Sequence, residues 1–539
     1  MSVGTALSVD PSSYESLGAL LNDALLTWKG ETALIESNRA RETGRRTYLE
    51  TWHEAHRLAA LLRSHGVGPG DRVAILASNG SRWLIAAIGA YFLGAVLVPL
   101  DYKLTPPEWV ALLRHARPIV LLTEPHIAAS IREHGVDIVL SLDGELPAAS
   151  PGGEGRVEIA TRLRNDPAAI VYSSGTGGRP KGCVLPHRAY LHQLAALISL
   201  YPMRPGQRFF SFLPTNHAID FVAGFLGPLV CGATVVHQRT LRPEFLIATF
   251  QRYAPSHTAV VPSLLTAFEK SAQEKLDALP GWQGWAVDAA TALNRQLRGR
   301  PMLKPLAAGF GGSLEVMFCG GAFTDRRRAE WFGERGLPVV IGYGLTECCA
   351  VATLNGTKPL RADSVGRAVD GVEVAIHSPD AAGVGEVWIR GPTVMLGYLD
   401  DPVLTAETLT PDGWLRTGDL GWLDGSFHLH LVGRNKDVIV TDGGKNVYPE
   451  DVEAAFAALD CEELAIFSES YVWPQRKLTG ERLVAVVRPR GELPVEALRQ
   501  VNRSLADFKR LSGVLAWPDG FPRTATMKLK RSDLAARVG

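Results

Sequence analysis

Short apolar runs recur along the chain between stretches of helical periodicity: Val73–Leu76, Ala95–Leu100, Ile119–Leu122, Ala168–Tyr172, Phe209–Leu213, Ala259–Val261, Leu314–Phe318 and Val339–Ile341. Uninterrupted apolar strands of this kind need cover on both faces, and helices between them supply it. The alternation therefore predicts α/β layers with largely parallel sheets. Ligand loops are then expected beyond the carboxyl ends of the strands. A chain of 539 residues exceeds what a single hydrophobic core supports, so more than one domain is expected.

Apolar residues make up 46% and charged residues 21%, the balance of a globular protein rather than a disordered one. Lys+Arg and Asp+Glu each number 56, so no bulk attraction to nucleic acid or to an anionic membrane is built in, and only local patches could act that way. The uncharged stretch Trp83–Leu100 is long enough to imitate a membrane span. Gly89, Gly94 and Pro99 interrupt it, and it reads as a buried helix followed by a buried strand, so no transmembrane segment is expected. The first residues show neither a basic leader nor an apolar core of signal length, which points to the cytoplasm. Cysteines at 183, 231, 319, 348, 349 and 461 lack metal or redox spacing and read as reduced structural thiols.

One apolar run leads into Tyr172-Ser173-Ser174-Gly175-Thr176-Gly177-Gly178-Arg179-Pro180-Lys181-Gly182-Cys183. Backbone at Gly175 and Gly177 can approach a phosphate closely. Ser173, Ser174 and Thr176 add hydroxyl donors, and Lys181 adds a mobile charge. The composition suits a polyphosphate, but not the common nucleoside-triphosphate loop, in which Ser or Thr follows the lysine at a helix start. Taken alone, these residues also describe a Gly/Ser surface loop.

Further strings follow in order: Leu213-Pro214-Thr215-Asn216-His217, Gly320-Gly321-Ala322, Gly342-Tyr343-Gly344-Leu345-Thr346-Glu347, Thr417-Gly418-Asp419, Gly433-Arg434-Asn435-Lys436-Asp437 and Pro522-Arg523-Thr524-Ala525-Thr526-Met527-Lys528. With the loop, they make the chain resemble the adenylate-forming superfamily of acyl-CoA and aryl-CoA synthetases, peptide-synthetase adenylation domains and beetle luciferases. The resemblance covers most of the chain. It implies a large N-terminal domain over 1–435, of layered α/β sheets with a distorted β-barrel-like part. A small, mobile α+β domain is implied over 436–539, and the ligands implied are ATP, Mg²⁺ and CoA.

Residue roles follow from the same resemblance. A carboxylate and an α-phosphate repel each other in a water-poor cleft, and Lys528 is the cation expected between them. Ser173, Ser174, Gly175, Thr176, Gly177 and Lys181 are expected on the β- and γ-phosphates. Glu347 is the expected Mg²⁺ ligand, with Thr346 shared with phosphate, since Mg²⁺ takes oxygen donors; a Thr-Glu pair also caps helix starts. Asp419 is expected to accept from both ribose hydroxyls, braced by Arg434. Gly320, Gly321 and Ala322, with Tyr343 and Gly344, are expected to flank adenine. His217 is expected to gate and orient the acyl carboxylate. Lys436 corresponds to the hinge of the small domain, and Gly443 and Gly444 to the wall of a pantetheine channel. Met527 departs from the pattern, standing where most members carry glycine.

The acid is the least constrained part. The helix-rich segment between Ser263 and Gly312 resembles the insertion of long-chain acyl-CoA synthetases, which favours a fatty or other bulky apolar acid. Apolar neighbours around Phe221 agree, whereas Asp220 raises the alternative of an amino-acid ammonium. An acyl-AMP ligase loading a carrier protein, an amino-acid-activating enzyme and a non-catalytic nucleotide-binding regulator are the other readings. His428 and His430 alternate on a strand, but no further ligand nearby completes a metal set. Oligomeric state is left open by the sequence.

Overall fold

Each apolar run overlaps a strand of the computed structural model, which describes residues 9–39, 41–131, 134–144, 156–173, 181–296, 304–357, 360–434, 439–440, 446–473, 482–524 and 529–538. At Phe209 the boundary shifts: the strand is Arg208–Ser211, and the buried Phe212 and Leu213 already belong to the following loop.

The chain divides into two compact units, Met1–Val374 with Ile389–Leu415, and Ala375–Trp388 with Arg416–Gly539. The first unit holds two large sheets. In one, Val339–Tyr343, Val316–Cys319, His257–Val260, Arg208–Ser211, Thr234–Gln238 and Thr32–Asn38 lie side by side and run parallel. Antiparallel strands close both edges, Arg41–Thr47 on one side, Thr353–Leu354 and Arg367–Ala368 on the other. In the second sheet, Pro167–Ser173, Val96–Leu100, Arg72–Leu76, Val120–Thr123 and Ile138–Ser141 are parallel neighbours. Lys181–Pro186 pairs antiparallel with Pro167–Ser173 and carries Gly397–Tyr398 on its outer side.

The stretch resembling a membrane span is a helix, Ser81–Phe92, a turn at Gly94 with φ +66°, and the strand Val96–Leu100. All three are buried because the helix lies in the main core rather than on a surface. Gly89 permits that packing: a Cβ there would come within 2.9 Å of the Ala55 carbonyl oxygen in the neighbouring helix Tyr48–Ser64. Among the described residues, no helix is long and apolar enough to cross a membrane.

Residues from Glu373 to Arg434 form an open four-stranded sheet, and no closed barrel is found among the described residues. In the second unit, Cys461–Ser468, Leu483–Pro489 and Leu511–Ala516 make a three-stranded sheet. The helix Pro449–Ala455 begins at Pro449, where a missing N–H costs nothing, and sends Val452 into a core with Ile466 and Val487. His428 and His430 flank Asp424 at 3.7 and 3.5 Å, and the His430 ring stacks on Trp422. Among the described residues no group of three or more His, Cys, Asp or Glu side chains is gathered as a metal site. The cysteines are free thiols, buried except for the half-buried Cys461.

Candidate active site

The loops expected to hold adenine leave two adjacent parallel strands. Val316–Cys319 runs into Gly320 and Gly321, and Val339–Tyr343 into Gly344. Gly321 turns with φ +83°, and a Cβ on Gly344 would stand within 1.9 Å of the Ala350 carbonyl oxygen, so both positions need glycine. Gly320, Gly321, Tyr343 and Gly344 are among the residues that line a cavity with roughly 860 Å³ of empty space, counting its open end. Ala322 is exposed and is not among the lining residues.

Tyr201, Phe209, Phe318, Val340, Met203, Pro228 and Cys231 also line the cavity. One wall is a helix whose turns widen over Asp220–Leu226, a π-helical stretch that brings Ile219, Val222, Ala223 and Gly227 along the cavity. Among the described residues the lining includes no Asp, Glu, Lys or Arg. Its polar groups are neutral: burial pulls the His257 imidazole down to about 4 and pushes the Cys231 thiol up to about 11, and the Tyr201 hydroxyl donates to the Asn355 carbonyl. The segment between Ser263 and Gly312, whose resemblance to the long-chain insertion favours a bulky apolar acid, contributes no described residue to this lining and forms most of the helix Pro262–Asp277 and all of Gly281–Gln296.

Asp220 lies beside the cavity but is absent from its lining. Its carboxyl accepts from the Ser211 hydroxyl at 2.8 and 3.0 Å and from the Thr215 hydroxyl at 2.9 Å. Burial drives this group up to about 7, against the opposing pull of the two hydroxyls. It is a structural tie between strand and loop. Asn79 completes the tie, donating to the Leu213 carbonyl at 2.5 Å and accepting from the Thr215 N–H at 2.9 Å. The loop so held presents His217, half-buried, with its Nε2 3.6 Å from Asp101. Burial alone would raise the Asp101 carboxyl. His217 and the Lys103 N–H outweigh it and keep the group below the ordinary carboxylate range.

A second cluster forms where the phosphate loop begins and ends. Ser173 and Lys181 are cross-strand partners, while Ser174, Gly175, Thr176 and Gly177 lie outside the described residues. The Lys181 ammonium stands 5.8 Å from the centre of the Tyr398 ring. The Tyr398 hydroxyl donates to Glu347 Oε1 at 2.8 Å. Burial first, then the neighbouring Glu347 charge, holds that phenol well above its ordinary range, so it is a donor at any physiological pH. Thr346 and Glu347 sit on one 3₁₀ turn, Thr346–Cys348. The sequence reading picked out Lys181 and Glu347 but missed Tyr398. The only signal was a Gly-Tyr pair in a turn-rich stretch, which says nothing about what it pairs with.

The donor set at Thr346 and Glu347 fits Mg²⁺, since both are hard oxygen groups and one carboxylate oxygen is already oriented by a phenol. In the second unit, Asp419 and Arg434 face each other across antiparallel strands, with Arg434 Nε 2.9 Å from the buried Asp419 carboxylate. Gly418, at φ +69°, turns the chain there and donates its N–H to Glu386 at 3.0 Å. Lys436, Gly443, Gly444, Met527 and Lys528 lie outside the described residues.

The AMP-binding enzyme family matches residues 22–399. An indoleacetate–CoA ligase of Aromatoleum aromaticum is 30% identical over 89% of this chain and 91% of its own length. A long-chain-fatty-acid–CoA ligase of Mycobacterium bovis is 31% identical over 74% of this chain and 71% of its own. Among solved structures, the o-succinylbenzoate CoA synthetase of Bacillus subtilis with its acyl-adenylate intermediate superposes with a TM-score of 0.78, over 95% of this chain and 97% of that one, at 23% identity. The chain belongs to the AMP-binding enzyme family, and its fold is that of the adenylate-forming enzymes, with a large N-terminal and a small C-terminal domain.

Proposed function

We propose that this enzyme activates a bulky apolar carboxylic acid, fatty or aryl, with ATP and passes the acyl group to the thiol of CoA. The chain is an AMP-forming acid–CoA ligase. In the first half-reaction a carboxylate oxygen attacks the α-phosphorus and pyrophosphate leaves. In the second, the thiol sulfur attacks the acyl carbon and AMP leaves.

One observation carries the choice of acid: among the described residues, the cavity lined in part by Gly320, Gly321, Tyr343 and Gly344 has no charged side chain in its lining. An ammonium group there would be desolvated with no counter-charge, because Asp220 is turned away and occupied by Ser211 and Thr215. The named substrates of the two curated relatives, indoleacetate and a long-chain fatty acid, are both largely apolar acids.

Each role has a physical basis in the residues. Lys181 and the loop 173–177 cradle the β- and γ-phosphates. Glu347, steadied by Tyr398, and Thr346 would hold Mg²⁺, which neutralises charge on those phosphates when bound. Tyr343 offers its ring face to adenine, and Asp419, braced by Arg434, accepts from the ribose hydroxyls. His217 orients the acyl carboxylate, and Lys528 neutralises the approach of two anions. Lys436 serves as the hinge between half-reactions, with Gly443 and Gly444 along the pantetheine path, and the boundary at 435/436 follows from that assignment. We place the reaction in the cytoplasm.

The test is pyrophosphate release with Mg-ATP across acetate, long-chain, aryl and amino acids, each with and without CoA. Release with long-chain or aryl acids, together with the CoA thiolester, is expected. Release restricted to amino acids, or acyl-adenylate that never passes to CoA, would overturn this reading.

A further inference from the structure

The helix Gly281–Gln296 is packed inside out. Thr291 and Asn294 are 4% and 2% exposed, and Asn294 donates to the Glu334 carbonyl at 2.8 Å, tying this face to the helix Arg326–Glu334. Trp282, Trp285 and Leu293 on the other side are 72%, 73% and 44% exposed. Ala286 and Ala289 are exposed between them. Steps of three and four residues put these five positions on one stripe. Burial ordinarily sorts side chains the other way, and two tryptophans on one exposed face mark a surface that something else covers.

We propose that this stripe is a membrane-docking surface, by which the protein binds reversibly to the face of an anionic bilayer. Tryptophan is the side chain best suited to the boundary between headgroups and acyl chains. Charge agrees with it. Arg295 is paired with Glu334 at 2.7 Å, but between it and Glu315 the sequence carries Arg298, Arg300 and Lys304 and no acidic residue, so a net positive stretch follows the stripe. Sixteen residues make a helix of about 24 Å, too short to span the hydrocarbon core, and its place is in the plane of the surface. Area argues against a second copy as the occupant: a strip about 24 Å long and roughly 10 Å wide is far below the ~800 Å² that each partner of a stable dimer contributes. The surface stands independently of the choice of acid, since it lies outside the cavity.

The experiment sediments the full-length protein with phosphatidylcholine vesicles, with and without phosphatidylglycerol, beside a Trp282→Ala/Trp285→Ala variant. Both side chains are mostly exposed, so the variant should fold, and unchanged pyrophosphate release would confirm it. Wild type should partition onto the phosphatidylglycerol vesicles, with a blue-shifted tryptophan emission and weaker binding at high salt, and the variant should lose about tenfold or more of that partitioning. Equal partitioning of the two proteins, or none by wild type, would overturn the proposal. So would a vesicle-free dimer of wild type that the variant fails to form, which would assign the stripe to a second copy. Because the assay needs neither ATP nor acid, its failure is distinct from failure of the catalytic reading.

Discussion

Glu347 and Asp220 are both carboxyl groups of the large unit, and they differ in what is left over once the protein's own hydrogen bonds are made. Asp220 is fully enclosed and takes hydroxyl donors from Ser211 and Thr215, with burial holding it up to about 7. Glu347 is half-buried, takes one phenol on Oε1, and among the described residues accepts no side-chain hydrogen bond on Oε2. The first group is satisfied and ties a strand to a loop. The second keeps acceptor capacity beside Lys181 and the ends of the phosphate loop. Two acidic residues near glycine-rich or substrate-facing motifs look alike in a sequence, and the donors around them separate scaffold from chemistry.

The sharpest way to break the comparison is to neutralise Glu347. Glu347→Gln should lower acid-dependent pyrophosphate release by about a hundredfold or more and raise the Mg²⁺ concentration needed for half-maximal rate. A loss of less than about threefold would remove Glu347 from the metal site. Asp220→Ala should instead act on stability. It strands two buried hydroxyls, at a cost of about 1–3 kcal/mol each in urea unfolding, while adenylation by the folded fraction falls by less than about tenfold. If activation vanished at unchanged stability, Asp220 would be a substrate group after all.

Tyr398→Phe probes the link between the two motifs. Removing a hydrogen bond to a charged group should cost about tenfold in kcat/KM for adenylation and raise the Mg²⁺ concentration needed for half-maximal rate, and unchanged kinetics would reduce Tyr398 to a packing residue. The last test concerns pH. A carboxyl raised in the folded state favours protonation there, so its contribution to stability is present below the unfolded carboxylate range and is lost as pH rises toward about 7. Asp220→Asn lacks this titration. The stability of wild type relative to that variant should therefore fall between about pH 4 and pH 7, by at most ~1.4 kcal/mol per pH unit, measured by urea unfolding. A flat difference would show that Asp220 stays ionised in the fold.

Much of the fold was legible because its signals are local. The runs at Val73, Ala95, Ile119 and Val339 are strands, since a short β-rich apolar stretch has few other ways to bury itself. Gly321 and Gly344 sit at strand ends for a reason written in their own backbones, one a left-handed turn and one a contact too close for a Cβ. Pro449 opens its helix as its fixed φ predicts. The segment from Ser263 to Gly312 is the counter-example. Its helix-forming composition was legible and its helices are there, but its association with the acyl cavity does not follow, because composition says nothing about which face meets which neighbour.

The sequence by itself determined the α/β layering, the order of the family motifs and the residue types proposed to meet phosphate, metal and ribose, because periodicity, glycine conformation and side-chain chemistry are properties of short stretches. Tertiary structure alone decided that Tyr398 joins Lys181 to Glu347, that Asp220 turns from the cavity toward Ser211 and Thr215, and that Trp282 and Trp285 face outward. Each of these depends on donors, acceptors or packing surfaces contributed by other elements of the fold, and burial, hydrogen-bond supply and charge balance exist only once those elements have met.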